Sequence, residues 1–232
     1  MIHYFLEKLS AGDSIESAVI EIEAKLASIK DEAHKRWLEM ELLKLDDYIT
    51  TVYPDRYGIS IEPGDISDFD NADLNKNRYN IVINEVRRLR ENILKKYLGR
   101  YGENNFISSP FSFICPENIF IGNNINIAKD CHIQAMPNSK VIIEDGCQIS
   151  PATIITAVSH GIEEKISMAD RHIYGKDVII KKGAWLTSNS KVLPGVTINE
   201  GAIIGAGAVV TKDIPPHAIA VGIPAKVIGY RK

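Results

Sequence analysis

At 232 residues, with 45% hydrophobic and 25% charged side chains, the chain has an ordinary globular composition and length enough for one large domain or two modest ones. No apolar run approaches the ~18 residues of a membrane span. Glu7 and Lys8 stand too close behind the first apolar residues for a signal peptide, so a cytoplasmic protein is expected. Cys115, Cys131 and Cys147 are odd in number and lack CxxC spacing, which argues against a disulfide framework or a zinc site.

The net charge of −3 is unevenly spread: residues 1–75 carry 17 acidic and seven basic side chains, and residues 76–232 carry 13 and 20. That asymmetry suggests two functional regions, and the chain reads as a helical N-terminal region, 1–100, followed by a second domain, 101–232. The basic part suits a phosphorylated small-molecule partner, although a solvated surface accounts for it equally well. No nucleic-acid partner is expected.

The first region reads as helical. Asp13 with Glu16 forms a capping box, and Ile15, Val19, Ile22, Leu26 and Ile29 follow in alternating steps of four and three, a single apolar stripe. Leu38, Leu42, Leu45 and Ile49 repeat the spacing after a slip near Asp31–His34. The stretch of about 14–50 is therefore two helices or one broken helix. It forms either a helical pair burying a small core or an element that binds a partner. Residues 53–75, rich in Asp, Pro and Gly, read as a linker. A third helix is expected over about 81–98, with Val82, Val86, Leu89, Ile93 and Tyr97 on one face and Arg87, Arg88 and Arg90 on its polar side.

After Gly99 the grammar changes. Ile180, Leu186, Val192, Ile198, Ile204 and Val210 recur every six residues, and four positions after each stands a small or apolar residue: Ala184, Ser190, Val196, Ala202, Ala208 and Ile214. Ile121, Ile127 and Ile133, then Ile143, Ile149 and Ile155, carry the same pattern. A period of six fits neither an α-helix nor a hairpin. It fits a short strand and a tight corner, three of which close one coil of a parallel β-helix. Each aliphatic then points into the prism and stacks on its equivalent one coil away. Cys131 and Cys147 occupy the small-residue position and read as buried small hydrophobes.

Two interruptions break the repeat: Met136-Pro137-Asn138-Ser139, and a longer stretch in a loop of about 159–178. Long excursions from a regular solenoid are usually functional or disordered. Among six histidines, His160 stands out because it opens that loop, where a rigid coil can hold an imidazole open to substrate. An unperturbed imidazole titrates near pH ~6.5 and can take a proton at neutral pH. His3 and His34 belong to the helical region, His132 to an early coil, His172 to the far end of the loop and His217 to the end of the repeat. Spacings of 28 and 12 between His132, His160 and His172 make no paired-ligand motif, so no metal is expected. GxSxG, P-loop and HExxH motifs are absent, and the glycines at Gly205 and Gly207 lie inside the repeat.

Residues 91–232 resemble the hexapeptide-repeat O-acetyltransferases of the galactoside and maltose acetyltransferase group. The resemblance rests on WLTSNSKVLPGVTINEGAIIGAGAVVTKDIPPHAIAVGIPAKVI (Trp185 to Ile228), on TAVSHG followed by YGKDVII, and more weakly on GENNF and ENIFIGNN within residues 102–124. It implies a left-handed β-helix and a homotrimer with active sites between neighbouring prisms. It implies acetyl-CoA as the acyl donor and a saccharide or other small acceptor. His160 matches the family's general base. Trp185 and Ser188 match positions beside the acetyl end, where a backbone N–H near Ser188 would steady the oxyanion. Ala206 matches a wall position along pantetheine. Thr211, Lys212 and Lys226 match further cofactor contacts. Where the group carries an acceptor-contacting Asn, this chain has Ala128, with Asp130 two residues on. Residues 1–75 have no counterpart in the resemblance. O-acetylation of a carbohydrate, such as a surface-polysaccharide sugar, is the leading expectation. N-acetylation of an amino sugar, transfer to a xenobiotic, and a non-enzymatic β-helical scaffold are the alternatives.

Overall fold

The computed structural model of the chain describes residues 4, 8, 15–43, 86–108, 110–161 and 172–232. They fall into two units, Met1–Lys96 and Tyr97–Lys232.

In the first unit the slip in the apolar stripe is a break between two helices, α1 (Ile15–Ser28) and α2 (Glu32–Leu42). Asp31 caps α2, its carboxylate accepting from the His34 N–H at 3.0 Å. Val19, Ile22 and Leu26 of α1 and Leu42 of α2 are buried, as their spacing predicts. The expected cap at Asp13, the positions Leu45 and Ile49, and the linker 53–75 lie outside the described residues. The described part of the third helix runs over 86–97. Arg87 and Arg88 are exposed on it, whereas Arg90 is buried. This corrects the expected polar side: Arg90 lies four residues from both Val86 and Leu94, on the apolar stripe, where its aliphatic stem can pack. Glu39 of α2 is also buried and is held by the Lys96 ammonium at 2.8 Å.

The second unit is a three-sided parallel β-helix. The first face stacks Arg100–Tyr101, Ile119–Ile121, Val141–Ile143, Val178–Ile180 and Thr197–Ile198. The second stacks Phe106–Ile107, Asn126–Ile127, Gln148–Ile149, Trp185–Leu186, Ile203–Ile204 and Ala218–Val221, and the third Phe111–Ile114, Cys131–Gln134, Ile154–Thr156, Lys191–Val192 and Val209–Val210. Five coils are complete and a sixth begins. All twelve aliphatics picked out by the six-residue period are buried in the prism, none more than 2% exposed. Each such burial stabilises by about 1.5–3 kcal/mol against leaving the side chain in water. Ala184, Ser190, Ala202 and Ala208 are fully enclosed at their corners, as are Cys131 and Cys147.

The corners need left-handed backbone. At the edge between the first and second faces that residue is Asn104, Asn124, Gly146, Gly183, Gly201 and His217 in successive coils; between the second and third faces it is Asp130, Ala152, Asn189 and Gly207. Glycine and asparagine predominate because they tolerate positive φ.

Both interruptions leave at the third edge, where the chain passes from the third face to the first face of the next coil. Residues 136–139 form a tight turn, Ser139 N–H donating to the Met136 carbonyl at 3.0 Å. The longer one is no structureless loop at its base: Val158–His160 pairs antiparallel with Ile173–Gly175, making a hairpin arm. Residues 162–171 lie outside the described residues. The C-terminal tail is likewise ordered, Lys226–Tyr230 returning antiparallel along Ala218–Val221.

Candidate active site

His160 ends the first strand of the arm, its backbone paired with Ile173 and its side chain exposed. The arm is seated on the turn below it. A Cβ on Gly175 would lie 2.5 Å from both Cβ and Oγ of Ser139, so only glycine fits there. Lys140 N–H donates to the Asp177 carboxylate at 2.8 Å and ties the same turn to the arm's exit. The four extra residues around Pro137 thus form a seat for the strand pair carrying His160, a role the sequence did not reveal. Thr211 and Lys212 lie on this same edge, two coils above, both exposed.

The other candidates gather on a different edge. Trp185 lies on the second face, 45% exposed, and its indole N–H donates to the Ser150 hydroxyl at 3.1 Å. Register places Pro151, Ser188 and Ala206 one above another at the corner between the second and third faces. The Ser188 carbonyl accepts from Gly207 N–H at 3.0 Å, and Asn189 N–H donates to the Pro151 carbonyl at 2.9 Å. Among the described residues, the Ser188 and Ala206 N–H groups donate to no protein acceptor, while Pro151 has no N–H to offer. This edge therefore shows backbone donors at the fourth and fifth coils and none at the third. Lys226 stands at the upper end of the edge, opposite Val221, where the arm of the tail begins. That arm is held by Val209, whose N–H donates to the Gly222 carbonyl and whose carbonyl accepts from Ala225 N–H. Ala128 and Asp130 lie two coils below Ser188 on the same edge, Asp130 exposed with φ of 62°.

Within one chain the third face separates these two groups: Trp185, Ser188, Ala206 and Lys226 on one side, His160, Thr211 and Lys212 on the other. His132 lies on the third face itself. Among the described residues no cluster of three or more His, Cys, Asp or Glu side chains is placed to hold a metal ion. The buried cysteines are poor nucleophiles. Burial pushes the Cys147 thiol up to about 11 and raises that of Cys131. Among the described residues no helix is long and apolar enough to cross a membrane.

The chain is similar to known acetyltransferases. Residues 177–212 match the family model described as bacterial transferase hexapeptide (six repeats). The galactoside O-acetyltransferase of Escherichia coli (strain K12) is 32% identical over 139 residues, which is 60% of this chain and 67% of that protein. The crystal structure of a maltose O-acetyltransferase from Clostridium difficile superposes with a TM-score of 0.58 at 32% identity, covering 62% of this chain and 76% of that one. A galactoside acetyltransferase in complex with coenzyme A gives 0.59 at 25% identity over 88% of this chain and 84% of that one. That last alignment is too long to be confined to the β-helix.

Proposed function

The chain belongs to the hexapeptide-repeat acyltransferase family, and we propose that it moves the acetyl group of acetyl-CoA onto a carbohydrate hydroxyl, with His160 as general base. The observation carrying this reading is the pair of unclaimed backbone donors, Ser188 and Ala206, on the edge that also bears Trp185 and Lys226. A thioester and its pantetheine arm need such donors along a groove, and a tetrahedral oxyanion needs one aimed at it.

In this mechanism the His160 imidazole takes the acceptor hydroxyl's proton as that oxygen bonds to the thioester carbonyl carbon. The Ser188 N–H steadies the oxyanion that forms. The C–S bond then breaks, and His160 returns the proton to the departing sulfur. The Ala206 N–H and the Trp185 ring line the pantetheine, while Thr211, Lys212 and Lys226 attract the charged end of the cofactor. A positioned base contributes about 10²–10⁴-fold.

Because the two residue groups occupy different edges of one prism, the reading requires a second copy. The His160 edge of one chain faces the Ser188 edge of the next. A head-to-tail contact of this kind closes into a ring, and the family resemblance implies a ring of three.

The test is thiol release from acetyl-CoA across a panel of sugars, with His160→Ala beside the wild type. The variant is expected to lose at least about 100-fold in turnover while binding acetyl-CoA and keeping its oligomeric state. Turnover above about a tenth of wild type would remove His160 as the base. Absence of turnover by the wild type with every sugar, in the presence of turnover with an amine acceptor, would overturn the carbohydrate assignment.

A further inference from the structure

Neither of the edges discussed so far includes the corner between the first and second faces, and that edge carries a groove of about 530 Å³ near the top of the prism. Lys182, Glu200, Gly201, His217, Arg231 and Lys232 line it. His217 occupies the left-handed corner position, φ 58°, that the five coils below fill with asparagine or glycine. Histidine tolerates that conformation better than most non-glycine residues, and here it sets an imidazole at the corner. The corner beneath makes room for it: a Cβ on Gly201 would lie 2.5 Å from His217 Nδ1. The returning C-terminal strand then brings in Arg231, whose N–H donates to the His217 carbonyl at 2.8 Å and whose Nη1 donates to the Gly201 carbonyl at 3.0 Å.

The result is a set of convergent donors with little to bind. Arg231 spends one side-chain donor on Gly201. Among the described residues, the Lys182 ammonium and the His217 imidazole make no hydrogen bond or ion pair within the protein. Three side chains of fixed positive charge, Lys182, Arg231 and Lys232, line the groove against one lining carboxylate side chain, Glu200, and Lys182 also acts on the Asp145 carboxylate. A planar guanidinium, an ammonium and an imidazole around one concavity match the oxygens of a tetrahedral dianion. The groove lies at the opposite end of the second face from Lys226, a separation of roughly 10 Å at ~3.3 Å per strand residue. It is therefore distinct from the edges assigned to acyl transfer.

We propose that this groove binds a phosphate group, carried by a small anion other than the acyl donor, through Arg231, Lys182 and His217.

The experiment is NMR of the full chain with ¹³C-labelled histidine, titrated with inorganic phosphate and, separately, with coenzyme A. His217→Asn, which tolerates positive φ, assigns the His217 signal by its absence. A saturable shift of that signal at millimolar phosphate is expected. Arg231→Gln should weaken phosphate binding about tenfold and Lys182→Gln about fivefold, whereas Glu200→Gln should tighten it about threefold, because it removes the opposing charge that lines the groove. A non-saturating shift, or equal affinity in Arg231→Gln, would overturn the proposal. So would displacement of phosphate by coenzyme A at the His217 signal, since the groove would then be the end of the acyl-donor site. Circular dichroism of each variant separates a lost ligand contact from a lost fold.

Discussion

Pro151 offers a way to delete a single backbone donor at Ser188. It occupies the position one coil below Ser188 in the same parallel register, so the corner backbone there already accepts proline. Ser188→Pro should fold, because the Ser188 N–H makes no hydrogen bond to the protein among the described residues and its loss orphans no partner. What it removes is the donor assigned to the oxyanion. Removal of one such donor costs about 10²–10³-fold in kcat, or ~2.7–4 kcal/mol of transition-state stabilisation. Ser188→Ala keeps the N–H and should stay within about threefold of wild type, which separates the backbone donor from the hydroxyl. The assay is steady-state thiol release with acetyl-CoA at saturation, since the loss belongs in kcat and not in KM. The edge geometry adds a second magnitude. When Ser188→Pro and His160→Ala chains are mixed in equal amounts and exchange, a site built from two copies pairs an intact His160 with an intact Ser188 in roughly a quarter of cases. Two nearly inactive proteins should thus recover about a quarter of wild-type activity. If Ser188→Pro stayed above about a tenth of wild-type kcat, the oxyanion assignment would fall. If it were inactive but mixing restored nothing, the two-copy site would fall.

Gly175→Ala should disturb the seat of the His160 arm and cost about 1–3 kcal/mol in chemical denaturation, because the new methyl meets Ser139 at 2.5 Å. Adding Ser139→Gly removes the two nearest clashing atoms, leaving only Asn138 Oδ1 at 2.9 Å, and should recover most of the stability and turnover; additive losses in the double variant would refute the seat. Leu186→Ala, at a fully buried position of the second face, should cost about 2–5 kcal/mol by urea titration. Asp145 accepts from the backbone N–H of Asn123, which holds its carboxyl below the usual carboxylate range, helped by the Asn123 side chain and by Arg100 and Lys182. A depressed folded value means its contribution is present above the unfolded value and lost as pH falls through the folded one. Asp145→Ala should therefore be less stable than wild type at neutral pH. The two melting temperatures should converge in acid, and a constant gap across pH would show that the Asp145–Asn123 contact contributes nothing electrostatic.

The β-helix was legible because its period is enforced by burial. Ile180, Leu186 and Val192 each belong to a different face, and each must turn inward, so the six-residue beat survives in the sequence. The arm was less legible because the antiparallel pairing of Val158–His160 with Ile173–Gly175 spans a dozen residues and carries no period. Gly175 looked like any loop glycine; its meaning lies in Ser139, 36 residues earlier, and no local pattern links them. Arg90 was misplaced for the opposite reason. Its helical phase put it on the buried stripe, but its charge outweighed the phase in the reading.

The same period decides a larger question. Once every residue has a face or an edge, Ser188 and Ala206 fall on one corner of the prism and His160, Thr211 and Lys212 on another. No adjustment of side chains brings them together, because the intervening face is a stack of hydrogen-bonded strands that cannot fold inward without exposing its core. On the proposed reading, a single chain of this fold therefore carries two half-sites. If acyl transfer uses both, assembly is a condition of catalysis and not merely of stability. Dilution below the dissociation constant of the ring should then abolish turnover while the β-helix itself persists. Loss of activity that tracked instead with loss of strand content would mean that assembly serves the fold and that the half-sites do not meet.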